Sequence, residues 1–307
     1  EQKLTKPFTF IRGKLKSLYL LLLYIYIPIL FLHNFFIEIG FYDLQFDYSG
    51  KSVTYWTIPD LIKNILFAVF GAGREPILGA MWFVYVLFFA LCLLSIMSWA
   101  IRTKANNDRQ YEQIRFFVLL FFAMVSSILT QIFDITIPRF NNVFTAAWLI
   151  YLGMLLNQRR KERFDQKVML FLSILVAFYL MVIYRDGVGL NTNRFPDIVT
   201  LTVSSIACLY IVCYLSKKVQ YSLLGKLLGV IGKDSFYIMG LQFVGFKICT
   251  MLALCFGCTD IPLAQLKAPA GDCLLLFIMY LLFGVLVPII VITSFRLVKS
   301  QFLKYIH

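Results

Sequence analysis

Long apolar runs alternate with short basic connections along this chain, and that alternation restricts its fold more than any other feature. Eight runs, at 17–38, 78–101, 115–134, 141–156, 167–185, 198–216, 235–256 and 272–296, reach or approach the roughly 20 residues a helix needs to cross a hydrocarbon core about 30 Å thick. Lipid offers no partner to a backbone N–H or C=O, so each run must close its hydrogen bonds within itself, as an α-helix. The expected fold is all-α, a polytopic transmembrane bundle of about eight spanning helices, with residues 1–307 forming one domain. Hydrophobic residues make up 60% of the sequence, above the roughly 45–50% of a soluble domain.

The basic residues orient these runs. Of the 29 lysines and arginines, 21 fall before the first run, after the last, or in every second connection; 7 fall in the others, and Lys247 lies within a run. A bias that alternates at each connection is the positive-inside pattern, so both termini are expected to be cytoplasmic and the protein integral to the plasma (inner) membrane. The net charge of +13 is then explained by topology and by attraction to anionic lipid. No nucleic-acid partner is expected, since no basic stripe lies on a water-soluble domain.

The longest outer connection, 39–77, carries Leu61, Ile65, Leu66, Val69 and Phe70 at helical spacing, which predicts a short interfacial helix. Among the cysteines, Cys255, Cys258 and Cys273 fall near the outer face, either as free thiols or as an outer disulfide. A lone pair spaced as Cys255 and Cys258 are, without histidines nearby, does not make a zinc site, and no metal is expected. Phosphate-binding loops, zinc-hydrolase helices and nucleophile elbows are all absent from the sequence.

Chemistry must then come from polar residues at membrane depth, which are costly unless paired or functional. At 1.5 Å per residue, His33 lies in the outer half of the first run. Trp82 lies about one turn below the outer surface, Gln242 near mid-depth, and Lys247 in the outer half of its run. Arg139, Asn141 and Asn142 precede the fourth run on the outer side. His33, Trp82, Lys247 and the corner from Arg139 to Asn142 are expected to converge on one cavity open to the outside. Each also has a structural reading: His33 as a packed, hydrogen-bonded residue, Trp82 as an interfacial belt residue, Gln242 as an interhelical bond, and Lys247 as a snorkelling cation.

The stretch Gly79-Ala80-Met81-Trp82-Phe83-Val84 resembles a segment of the integral-membrane acyltransferase 3 family. So does the run from Ile231 through Lys233, Asp234, Ser235 and Ile238 to Gln242 and Phe243. Phe246-Lys247 is similar to a form in that family's polysaccharide O-acetyltransferase branch. Phe10–Pro28 looks like its third helix, and Leu190-Asn191-Thr192-Asn193-Arg194-Phe195 resembles an outer loop. The resemblance covers essentially the whole chain. The family usually has ten spans, which implies that this chain is N-terminally incomplete, lacking the first two helices and the arginine and histidine of the first. Gln242 stands where the family commonly has histidine; an amide orients a substrate but is no base near neutral pH.

The resemblance implies a membrane-bound O-acyltransferase, acetylating a cell-surface polysaccharide or its lipid-linked precursor. Acetyl-CoA is the donor it implies, with no tightly bound cofactor. The expected partners are the lipid bilayer, acyl-CoA and the sugar acceptor. His33 is the candidate base and Lys247 the candidate charge stabiliser. Trp82, Arg139, Asn141, Asn142, Asn191, Asn193, Ser235 and Gln242 are the candidate substrate-binding residues. The alternatives are a transporter or flippase for a glycan, lipid or small anion, and an inactive truncated acyltransferase acting as a scaffold.

Overall fold

The computed structural model describes residues 4–42, 53–71, 73, 75–135, 140–158, 166–183, 189–190, 192–257 and 274–306. Helix α1 (Pro7–Lys14), a π-helical turn (Leu15–Tyr19) and α2 (Leu20–Phe31) run on as one apolar helix, Pro7–Phe31. After a break at Leu32 come α3 (His33–Glu38) and α4 (Ile58–Val69); a 3₁₀ segment, Pro76–Met81, then leads into α5 (Trp82–Arg102). There follow α6 (Asp108–Gln131), α7 (Phe140–Gln158), α8 (Lys167–Ile183), α9 (Ile198–Val219), α10 (Leu223–Lys233), α11 (Ser235–Cys255) and α12 (Leu274–Ile306).

Six of these helical stretches are long and apolar enough to cross a membrane: Pro7–Phe31, Pro76–Arg102, Asp108–Gln131, Ile198–Val219, Ser235–Cys255 and Leu274–Val298. The two remaining sequence runs are also helical, as α7 with 19 residues and α8 with 17. The protein is therefore an all-helical polytopic membrane protein; the one β-bridge among the described residues joins Gly189 to Arg194.

The helix ends follow local sequence. Pro7 sits in the first turn of α1, where a missing N–H costs nothing. Asn107 and Asp197 cap α6 and α9 by accepting from the N–H groups of Gln110 and Thr200. Thr57 and Asp60 form a capping box at α4, whose Ile58, Ile62, Leu66 and Phe70 are exposed at four-residue spacing. A helix thus forms where the 39–77 connection was expected to hold one.

The chain divides into two compact units, Glu1–Leu21 with Phe83–Gly225, and Leu22–Trp82 with Lys226–His307. The core of the first packs Ala90 and Leu94 of α5, Leu119 and Ala123 of α6, Ala147 and Trp148 of α7, and Ile198 and Leu201 of α9. Small residues at the contacts let these helices approach closely, since helix association in lipid depends on packing and hydrogen bonds rather than on expelling water. Tyr19, in the π-helical turn, packs on Tyr85, Phe88 and Phe89.

The second unit is organised by α11 against α12. A Cβ on Gly245 would collide with the Phe283 carbonyl, and one on Gly284 with the Phe246 ring, so the two backbones meet through glycines. Thr250 and Tyr280 join their hydroxyls across that contact at 2.6 Å. At the start of α11, Asp234 accepts from both terminal nitrogens of Arg296, at 2.6 and 3.1 Å. That bidentate pair holds the Asp234 carboxyl below its ordinary range.

Candidate functional site

The second unit buries an ionisable group of unlike residues. Pro28 removes a backbone donor inside α2, and the chain restarts helically at His33 after the break at Leu32. His33 is 2% exposed and Glu75, next to the proline that opens the 3₁₀ segment, is 1% exposed. His33 Nδ1 lies 3.0 Å from Glu75 Oε2, while Nε2 faces the Thr54 carbonyl oxygen at 3.1 Å. The Tyr42 hydroxyl donates to Glu75 Oε1, and the Glu75 N–H donates to the Tyr26 hydroxyl at 3.2 Å. Position 73 has to be glycine for Tyr26 to reach that far, because a Cβ there would overlap the phenol.

Proton counting constrains this group. A carbonyl only accepts, so Nε2 carries a proton. Burial, and then the neighbouring Glu75 carboxylate, push the Tyr42 phenol well above its ordinary range. It therefore stays protonated and donates. The remaining 3.0 Å contact between Nδ1 and Oε2 must hold one further proton, shared between an imidazole and a carboxylate. The pair is then neutral as a whole, which is what its burial demands.

A short extended segment covers the imidazole. Trp56 stacks on it with centroids 3.6 Å apart and planes 8° from parallel. Asn34 fixes that segment by donating to the Trp56 carbonyl at 2.9 Å and accepting from the Trp56 N–H at 2.8 Å. Thr57 then caps α4. For His33 to take a proton from a substrate at Nε2, Thr54 must give up its contact and Nε2 the proton it carries.

Lys247 lies in the same unit, on α11, and is 1% exposed. Its ammonium is enclosed by protein, so the snorkelling reading does not hold. Gln242 and Trp82 are half-buried, and Ser235, at the start of α11, is exposed.

The predicted asparagines belong to the first unit. Asn141 donates to Thr130 Oγ1 at 2.7 Å and to the Ile135 carbonyl at 2.8 Å, while its own carbonyl accepts from Ser126 Oγ at 2.7 Å. Asn193, with a left-handed φ of 56°, donates to Ser126 Oγ and Thr130 Oγ1 and accepts from Thr145 Oγ1. Asn142 donates to the Leu190 carbonyl. These bonds tie the chain before α9 to the corner between α6 and α7. Arg139 and Asn191 lie outside the described residues, as do Cys258 and Cys273; Cys255 is a free thiol.

Sequence reasoning missed Glu75, Tyr42, Tyr26 and Trp56. Glu75 carried a signal, as an acid next to Pro76 at the mouth of an apolar run; the others look like ordinary aromatic packing. It also counted Arg115 only as a topogenic charge. The structure buries it at 1% exposure, 4.6 Å from the Tyr151 ring centroid and 3.4 Å from Glu112 Oε1.

The spanning helices, with a histidine–glutamate pair and a lysine buried among the described residues of the second unit, define an integral-membrane protein that holds ionisable groups in its interior. The chain belongs to the acyltransferase 3 family, whose model, described as an acyltransferase domain, matches residues 3–297. It is thus a membrane acyltransferase. Neither a curated protein nor a solved structure matches it significantly.

Proposed function

We propose that the protein moves an acetyl group from acetyl-CoA to a hydroxyl of a cell-surface polysaccharide or of its lipid-linked precursor. It does so in the plasma (inner) membrane with both termini cytoplasmic, as the alternation of basic connections supports. The observation that carries the reading is the buried His33–Glu75 pair in a chain whose family transfers acyl groups.

In the proposed step the sugar oxygen attacks the thioester carbonyl. A C–O bond forms, the C–S bond breaks, and the hydroxyl proton passes through the base to the departing CoA thiolate. His33 is the base. It accepts at Nε2 once a substrate hydroxyl replaces the Thr54 carbonyl, the proton that faced that carbonyl has left Nε2 for water admitted with the substrate, and the shared proton has settled at Nδ1. Glu75 holds that proton and balances the imidazolium that forms, with Tyr42 fixing its other oxygen. Lys247 stabilises the charge that builds on the carbonyl oxygen. Trp82, Gln242 and Ser235, in the same unit as His33 and Lys247, contact substrate. Asn141, Asn142 and Asn193 contribute by fixing the chain around Leu190, since their amide groups are already occupied.

The test is to incubate membranes containing the complete gene product with labelled acetyl-CoA and cell-surface glycan. Label should appear as an alkali-labile ester on the glycan. No transfer under conditions where a control acetylase works overturns the reading. Topology is checked by single cysteines in a background lacking the native ones. Gln220→Cys should resist an impermeant thiol reagent in intact cells and Tyr55→Cys should react; the reverse pattern overturns the orientation.

A further inference from the structure

The helix that opens the first unit carries an open cavity to which the acyl-transfer step above assigns no residue. Lys6, Thr9, Phe10, Gly13, Lys14 and Ser17 line a space of about 410 Å³, within the range of small-molecule sites. The residues recur every three or four positions, so they form one face of the helix. Their chemistry is divided. Phe10 and the bare backbone of Gly13 make an apolar floor, and a Cβ at Gly13 would meet nothing within 4 Å. Two ammonium groups and two hydroxyls stand around it, with the Lys14 ammonium 5.6 Å from the Phe10 ring centroid.

Two further observations make this a built feature. Ser17 lies in the π-helical turn Leu15–Tyr19, a rare distortion that concentrates at functional positions. The chain just before the helix is anchored, because the Leu4 carbonyl accepts from Ser95 Oγ of α5 at 2.7 Å and Leu4 itself is 7% exposed. The cavity therefore sits at a fixed place, at one end of a membrane-crossing helix, where headgroups lie.

We propose that this cavity binds one anionic phospholipid, its phosphate held by Lys6 and Lys14 with hydrogen bonds from Thr9 and Ser17, and the start of an acyl chain laid over Phe10 and Gly13. An amphiphile matches the division of the lining as a freely soluble anion does not. Basic recesses beside spanning helices take lipid headgroups through this combination of charge and apolar contact. Only the choice of the cytoplasmic leaflet rests on the orientation proposed above.

The protein in nanodiscs of phosphatidylcholine, with increasing phosphatidylglycerol, should retain one phosphatidylglycerol selectively in native mass spectrometry. Lys6→Gln with Lys14→Gln should weaken that preference about 30-fold, the equivalent of about 1 kcal/mol per lysine. Lys16→Gln, which removes one ammonium group outside the cavity, should leave it within about twofold. Gly13→Leu fills the space without touching charge and should also abolish selective retention, while melting temperature shows that the variant stays folded. Unchanged retention in both cavity variants, or an equal loss in the Lys16 variant, overturns the proposal. So does displacement of the bound lipid by coenzyme A, which would assign the phosphate site to a nucleotide. No readout involves turnover, so failure of acetyl transfer leaves this inference standing, and its failure leaves the acyltransferase reading intact.

Discussion

The two units bury polar side chains in opposite ways. In the first, Ser126, Thr130, Asn141, Thr145 and Asn193 form a closed set of neutral donors and acceptors, each satisfied by another member or by backbone. In the second, His33, Glu75 and Tyr42 hold a proton that either the imidazole or the carboxylate can carry. The neutral set has one arrangement and resists change. The ionisable set has two protonation arrangements of similar composition, which is what proton transfer requires. Burial of polar groups alone does not separate the two sets; the proton inventory does.

The sharpest way to break this comparison is Glu75→Gln. The amide can accept from Tyr42 and donate to Nδ1, so folding should survive, but His33 is then locked with its proton on Nε2 and cannot accept there. Acetyl transfer by the full-length protein should fall about 1,000-fold, within the range of a lost general base, with membrane abundance little changed. Turnover close to wild type would remove the pair from the reaction.

Lys247→Met should lower turnover about 100-fold, the scale of a lost oxyanion donor, with donor affinity unchanged because the charge is needed mainly in the transition state. Turnover measured beside abundance separates the outcomes: a collapse of abundance makes Lys247 structural.

Asn193→Ala tests the other half of the comparison. It leaves Ser126, Thr130 and Thr145 each short of a partner, and should cost about 2 kcal/mol in detergent melting experiments. Activity per folded molecule should stay within about twofold. A raised KM for the acceptor with unaltered stability would instead place Asn193 in the binding site.

The smallest effect lies at the start of α11. Asp234 is held below its ordinary carboxylate range by the hydrogen bonds from Arg296, so its stabilising contribution is complete above the unfolded carboxylate value of about 4. That contribution is lost as pH falls through the lower, folded value. Melting temperature should therefore decline on the acid side in the wild type, and decline less in Asp234→Asn. Equal acid sensitivity in both would show that Arg296 contributes nothing there.

The sequence by itself determined the helices and their approximate limits, because a 20-residue apolar run in lipid has only one way to satisfy its backbone. Charge placement and short motifs carried the orientation expected of the chain and its family. They also singled out His33, Lys247 and the asparagines, because a polar residue in an apolar run is visible without any structure. What the sequence did not contain was partnership. Glu75 and Tyr42 lie 42 and 33 positions from the residues they bond in the His33 group, and Arg115 sits where its charge fits a cytoplasmic connection and yet packs inside. Whether an asparagine is saturated or a histidine shares a proton depends on angstrom-scale distances between segments far apart in the chain, and those distances are set only when the helices pack.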